Sequence, residues 1–201
     1  MIQPEITTRF GLIRHAETVW NRAKRIQGHQ DSPLTPEGER QAAAWGRSLH
    51  RLRWDRILAS DTGRAVVTAG RINIHLGLPV VLDRRLRELD WGRWASRTVA
   101  ELRAEEGALL AQQERAGWDF RPPGGESRRS QLERSRLVLL EAAGRWPGAA
   151  ILVITHGGVL KSLVHHLSGG QPLAADGIGL QPYQLHWVSA TGSNLALEGL
   201  D

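Results

Sequence analysis

Two arginines and two histidines stand where they could act together on a phosphate group. Arg14 and His15 end one apolar run, Arg64 opens a helix after a second, and His156 follows a third, Ala149 to Ile154. If these runs are strands of one parallel sheet, all four side chains converge beyond the strands' carboxyl ends, where ligands of such sheets lie. Guanidinium forks match phosphate oxygens bidentately, and a helix N-terminus adds backbone N–H donors, so the set suits a phosphate dianion. Taken singly, each residue has a plainer reading: an arginine at a helix start is a solvated charge, and a histidine after a buried strand is a hydrogen-bonded structural residue. Their joint occurrence points to a site. Arg14 and His15 are adjacent, so both reach one cleft only if the chain leaves the sheet there.

The elements that must position them alternate. Thr8 to Ile13 reads as a first strand, followed by a long polar loop from Arg14 to Pro33. A loop of that length in a compact domain usually has a function. Thr35 and Pro36 mark a helix start, and Ala42, Trp45, Leu49 and Leu52 follow at helical spacing. Arg56 to Ala59 is the next strand, and Ala65, Ala69, Ile72 and Leu76 lie on one face of a helix closed by Gly77 and Pro79. Leu78 to Leu82 offers a third strand, Thr98 to Arg115 a helix, and Glu126 or Ser127 opens another after Pro122-Pro123-Gly124-Gly125. The Ala149 to Ile154 strand hands over at Gly157-Gly158 to a helix, and Tyr183 to Leu197 holds one or two strands broken at Thr191-Gly192-Ser193. The pattern predicts an α/β fold: a single domain over 1–201 with a mainly parallel central sheet and helices on both faces.

Composition narrows the classes. Hydrophobic residues at 41% and charged ones at 23% are ordinary for a folded globular chain. The longest apolar stretch is far short of the ~18 to 20 residues a membrane helix needs, and MIQPEITTRF lacks the order of a signal peptide, so a cytoplasmic protein with no membrane partner is expected. There is no cysteine, which excludes disulfides, thiolate nucleophiles and cysteine metal sites. A net charge of +5 favours anionic partners but is low for a nucleic-acid binder, so no nucleic acid is expected. His165-His166 looks like a metal pair, but adjacent helical residues diverge by about 100°, and surface or packing roles are expected.

The run Leu12-Ile13-Arg14-His15-Ala16-Glu17-Thr18-Val19-Trp20-Asn21 resembles the signature of the histidine phosphatase superfamily, the phosphoglycerate-mutase-like proteins. The resemblance continues through Gln27-Gly28, Asp31-Ser32-Pro33-Leu34-Thr35, Ser60-Asp61 with Arg64-Ala65, and Leu86-Arg87-Glu88. It returns at Pro123-Gly124-Gly125-Glu126-Ser127 and Thr155-His156-Gly157-Gly158-Val159, in order over roughly Phe10 to Val159. It implies that His15 attacks phosphorus and becomes phosphohistidine, that Arg14, Arg64 and His156 hold the transferring oxygens, and that Glu88 is the general acid. It also implies that Asn21, Gln27, Gly28 and Gly157 line the phosphate pocket, with no metal and no cofactor. The plainer reading of Gln27-Gly28 is a turn.

Three positions depart from the family pattern. Trp94-Ala95-Ser96 stands where relatives often have Trp-Glu-Gly, Gly158 replaces an asparagine common in true mutases, and Ala16 replaces a frequent glycine. The short Glu88 to His156 segment and its Pro-Gly-Gly-Glu-Ser run resemble the phosphatase branch. The expected activity is therefore a metal-independent phosphomonoester phosphatase acting on a small phosphorylated metabolite, with a cofactor-dependent phosphoglycerate mutase as the alternative. A non-catalytic phospho-ligand-binding module would need no acid at Glu88. Arg22, Lys24, Arg25, Arg128 and Arg129 could meet a second anionic group, although solvated surface charge is the plainer reading for most of them. A homo-oligomer is left open.

Overall fold

The computed structural model describes residues 6–170 and 184–198. Strands β1 (Thr7–Arg14), β2 (Arg56–Ala59), β3 (Val80–Leu82), β4 (Ala150–Thr155), β5 (His186–Thr191) and β6 (Asn194–Leu197) form one sheet in the order β3-β2-β4-β1-β5-β6. β3, β2, β4 and β1 run parallel, while β5 pairs antiparallel with β1 and β6 with β5. The helices are α1 (Val19–Arg22), α2 (Pro36–Leu49), α3 (Gly63–Leu76), α4 (Val99–Arg115), α5 (Arg128–Arg145) and α6 (Gly157–Leu167). The expected single α/β domain with a mainly parallel sheet is what forms.

β4 shows why the sheet is covered on both sides. Ile151 and Val153 point into a core shared with Leu132 and Leu139 of α5 and Leu160 and Leu163 of α6. Leu152 and Ile154 point the other way, onto Leu49 of α2 and Ala65, Ala69 and Ile72 of α3. All four β4 side chains are completely buried, and each such burial stabilises the fold by ~1.5–3 kcal/mol. A third cluster of Leu89, Trp94, Leu102, Leu110 and Phe120 forms under the excursion between β3 and α5.

Local signals set the helix ends. The Thr35 side chain accepts from Gly38 N with Pro36 in the first turn, and Gly77 closes α3 at φ 63°, a left-handed conformation suited to glycine. Ser127, of the two expected openers, is the N-cap of α5 and accepts from Ser130 N.

Elsewhere the expectations need correction. The Arg14 to Pro33 segment is not all loop: Thr18 and Asn21 form a capping box that starts the one-turn α1. The third strand is shorter than Leu78 to Leu82, because Asn73 captures both Leu78 N and Leu78 O at 2.8 and 2.9 Å. Tyr183 lies outside the described residues, and β5 begins at His186. Around Trp94-Ala95-Ser96 the backbone takes a left-handed turn at Ser96, φ 68°, which costs a non-glycine residue ~1–2 kcal/mol. Glu106 supplies a carboxylate there, accepting from Trp94 Nε1 at 3.2 Å and Arg97 at 2.5 Å. His165 is buried and His166 meets the Trp118 ring edge-on, as packing and surface residues. Among the described residues, no helix is long and apolar enough to cross a membrane.

Candidate active site

Three adjacent strands bring the sequence-predicted residues together. Register pairs Arg14 with Thr155 and Ala59 with Ile154, so β1, β4 and β2 end level. His15 N donates to Thr155 O at 2.8 Å just past the end of β1, where the chain leaves the sheet. His156 caps α6, and Arg64 lies in the first turn of α3. The His15 and His156 rings are 5.1 Å apart, and both are almost wholly buried with Arg64.

The hydrogen bonds settle both tautomers. His15 Nδ1 is 2.8 Å from Ala16 O, which can only accept, so Nδ1 carries the proton and Nε2 keeps its lone pair. That lone pair faces Arg64 Nε–H at 3.3 Å. His156 Nδ1 accepts from Arg64 at 3.2 Å, so its Nε2 donates to Ser60 Oγ at 2.8 Å. The remaining Arg64 donors go to Gly28 O, Gln30 O and Asp31 Oδ1 at 2.8, 2.7 and 3.1 Å. All five guanidinium N–H groups are therefore engaged, and the fork is locked with two donors directed at imidazole nitrogens.

Burial holds the His15 pKa well below its usual value, and Arg14 and Arg64 push the same way. His156 is lowered likewise, by burial first and then by His15 and the arginines. Both rings are neutral at physiological pH, as a lone-pair nucleophile requires. The linkage has a definite sign. Below about pH 6.5 the unfolded chain takes up protons that the native rings refuse, so stability falls as pH drops, by up to ~1.4 kcal/mol per pH unit for each ring. Urea unfolding in phosphate-free buffer should lose stability between pH 7.5 and 5, and the slope should flatten in His15→Gln; a flat wild-type profile would contradict the assignment.

Among the described residues, two buried polar atoms here have no hydrogen-bond partner, Arg14 Nε and Gln27 Oε1. Arg14 Nε lies beside Gly157 at the start of α6, and an anion oxygen would satisfy it. Gln27 Nε2 is 2.9 Å from Thr18 Oγ1. With the amide turned over, Thr18 donates instead and the Gln27 NH2 is released for an anion. Gly28 contributes its carbonyl to Arg64 from a left-handed backbone, φ 54°. The Asn21 side-chain oxygen accepts from Thr18 N at 3.1 Å in the capping box that starts α1.

Glu88 reaches the N-terminus of α6. Its Oε2 accepts from Gly158 N at 2.9 Å, and Oε1 accepts from Leu89 N at 2.8 Å and Gln131 Nε2 at 3.0 Å. Sequence reasoning missed several supporting residues. Asp31 pairs with Arg64 and also caps α3 through Arg64 N at 3.2 Å. Arg134 holds the backbone around Glu88 by donating to Arg87 O and Glu88 O at 2.7 and 3.0 Å, and it pairs with Glu126. A charged residue on a predicted surface helix gives no signal of that contact. The flanking cations mostly have partners: Arg22 binds Glu17, Arg25 donates to Ser96 O and Arg129 binds Asp119. Arg128 lies over the Phe120 ring at 4.0 Å, and burial lowers its pKa to about 10.

An α/β sheet whose carboxyl edge carries two neutral imidazoles locked onto one arginine fits the class of phosphate-handling proteins. The chain belongs to the histidine phosphatase superfamily, branch 1, whose family model matches residues 10–201. It is 39% identical to the probable phosphoglycerate mutase GpmB of Salmonella choleraesuis over 158 residues, 79% of this chain and 74% of that protein. Among solved structures it is similar to a mycobacterial glucosyl-3-phosphoglycerate phosphatase solved with VO3, at 30% identity and a TM-score of 0.80, covering 94% of this chain and 96% of that one. A putative alpha-ribazole-5'-P phosphatase from Escherichia coli is 27% identical with a TM-score of 0.82, covering 96% of each chain.

Proposed function

We propose that the protein is a metal-independent phosphomonoester phosphatase working through phosphohistidine on His15. The observation that carries this reading is the unprotonated Nε2 of a neutral His15, which accepts from Arg64 Nε–H and would be released for attack as a phosphate draws that donor onto its own oxygens. Nε2 attacks phosphorus while Arg14, Arg64 and His156 take the transferring oxygens, stabilising the charge that spreads over them. Glu88 protonates the departing alkoxide and then draws a proton from the attacking water. Gln27, Gly28 and Gly157 line the phosphate pocket in this reading, whereas Asn21 shapes it through α1. The named substrates of the two phosphatase relatives support a small phosphorylated metabolite as substrate.

Phosphoglycerate mutase is the second reading, and the 39% identical relative favours it. The phosphatase reading draws on the departure at Gly158 from the mutase pattern, where in this chain a Cβ would collide with the Glu88 carboxylate. The two readings separate in one tube containing 3-phosphoglycerate, a catalytic amount of bisphosphorylated primer and an aryl phosphate. Free phosphate should outrun formation of 2-phosphoglycerate. Rapid isomerisation with almost no phosphate released and the aryl ester untouched would replace the phosphatase with the mutase.

A further inference from the structure

Glu88 is held by a buried polar pair that the catalytic reading above does not use. Gln131 of α5 is 1% exposed and Ser162 of α6 is 5% exposed. Ser162 Oγ donates to Gln131 Oε1 at 3.0 Å, and Gln131 Nε2 donates to Glu88 Oε1 at 3.0 Å. A buried amide must satisfy both its ends, and among the described residues each end has a single partner. An ionised carboxylate cannot donate, so it requires the NH2 end, and Ser162 secures that orientation by binding the oxygen end.

The surroundings of Glu88 are unequal at its two oxygens. Among the described residues, Oε1 receives two donors, from Leu89 N and Gln131, whereas Oε2 receives only Gly158 N. A protonated carboxyl oxygen is a poor acceptor, so the proton settles on the oxygen with fewer donors. Gly158 belongs to the same arrangement: a Cβ there would collide with Glu88 Oε1 and stand 3.2 Å from Gln131 Nε2. Arg134, one helical turn beyond Gln131, fixes the Glu88 backbone while Gln131 fixes the side chain.

We propose that Gln131, oriented by Ser162, is a positioning residue for the general acid: it ties down Glu88 Oε1 so that Oε2 carries the proton given to the leaving group. This rests on the reading of Glu88 as acid and base. As the P–O bond breaks, the Oε2 proton passes to the departing oxygen and the carboxylate remains. When water attacks the phosphohistidine, Oε2 takes its proton back.

The test exploits leaving groups. An alkyl phosphate needs a proton on its departing oxygen, whereas p-nitrophenolate leaves with little help. The quantity to compare is kcat/KM for both esters in wild type, Gln131→Met and Ser162→Ala. Gln131→Met, which keeps the volume and removes the donor, should lower the alkyl value on the order of tenfold, as loss of a hydrogen bond to a charged group does, and the aryl value distinctly less. The alkyl loss should fall on kcat with KM within about twofold. Ser162→Ala should shift the alkyl-to-aryl ratio the same way by a smaller factor, and its small change gives a second reading if Gln131→Met does not fold. Equal losses on both esters, or an unchanged ratio in both variants, would overturn the positioning role while leaving the phosphatase intact. A wild type that hydrolyses neither ester would overturn the reading of the site and this inference with it.

Discussion

Replacing His15 with alanine should abolish phosphomonoester hydrolysis, with a loss of at least about 10⁴-fold, the scale on which removing a covalent nucleophile acts. The neighbouring imidazole should not substitute, because in the proposed mechanism His156 holds the transferring oxygens, and its Nε2 carries a proton that it donates to Ser60 Oγ. The fold should survive, because His15 makes one side-chain hydrogen bond to its neighbour's carbonyl and one from Arg64. Steady-state kinetics beside thermal unfolding checks both halves. Near wild-type turnover of a substrate established for the native protein would remove His15 from the chemistry.

The second large effect is expected at Arg64. Arg64→Ala should lower kcat/KM by roughly 10²–10³-fold through loss of one transition-state charge stabiliser. It should also destabilise the fold, since the guanidinium satisfies Gly28 O and Gln30 O and pairs with Asp31. Arg64→Lys restores the charge but not the five-donor fork, so activity should stay well below wild type. A lysine variant with full activity would show that charge alone suffices. Comparing kcat/KM with the urea midpoint in both variants separates the catalytic loss from the structural one.

How much was readable in advance follows from where each interaction lies. Arg14, His15 and His156 stand at the ends of apolar runs, and a polar residue ending a buried strand is conspicuous in sequence. The Thr35-Pro36 start and the Gly77 stop are local chemistry, so α2 and α3 emerge with their ends. Contacts between distant segments were not visible. Asp31 sits in a loop and Arg64 on a helix, and only the folded loop brings them to 3.1 Å. Gln131 has the composition of a surface residue in α5, yet it is buried against α6 because Ser162 and Glu88 satisfy its amide. The third strand illustrates the opposite error: Leu78 has strand composition, but Asn73 holds both its backbone groups and delays the strand to Val80. The Asn21 side-chain oxygen belongs to the α1 capping box, a contact that the resemblance does not reveal.

The most direct test of the central claim is to trap the phosphoenzyme. The protein is mixed with a ³²P-labelled phosphomonoester in the presence of chelator, quenched during turnover, and digested. Label is expected on the peptide containing His15, stable to alkali and lost in acid as a phosphoramidate is, absent from His15→Ala and accompanied by undiminished phosphate release under chelation. Steady phosphate release without a histidine-linked label, or the same label in His15→Ala, would contradict the claim.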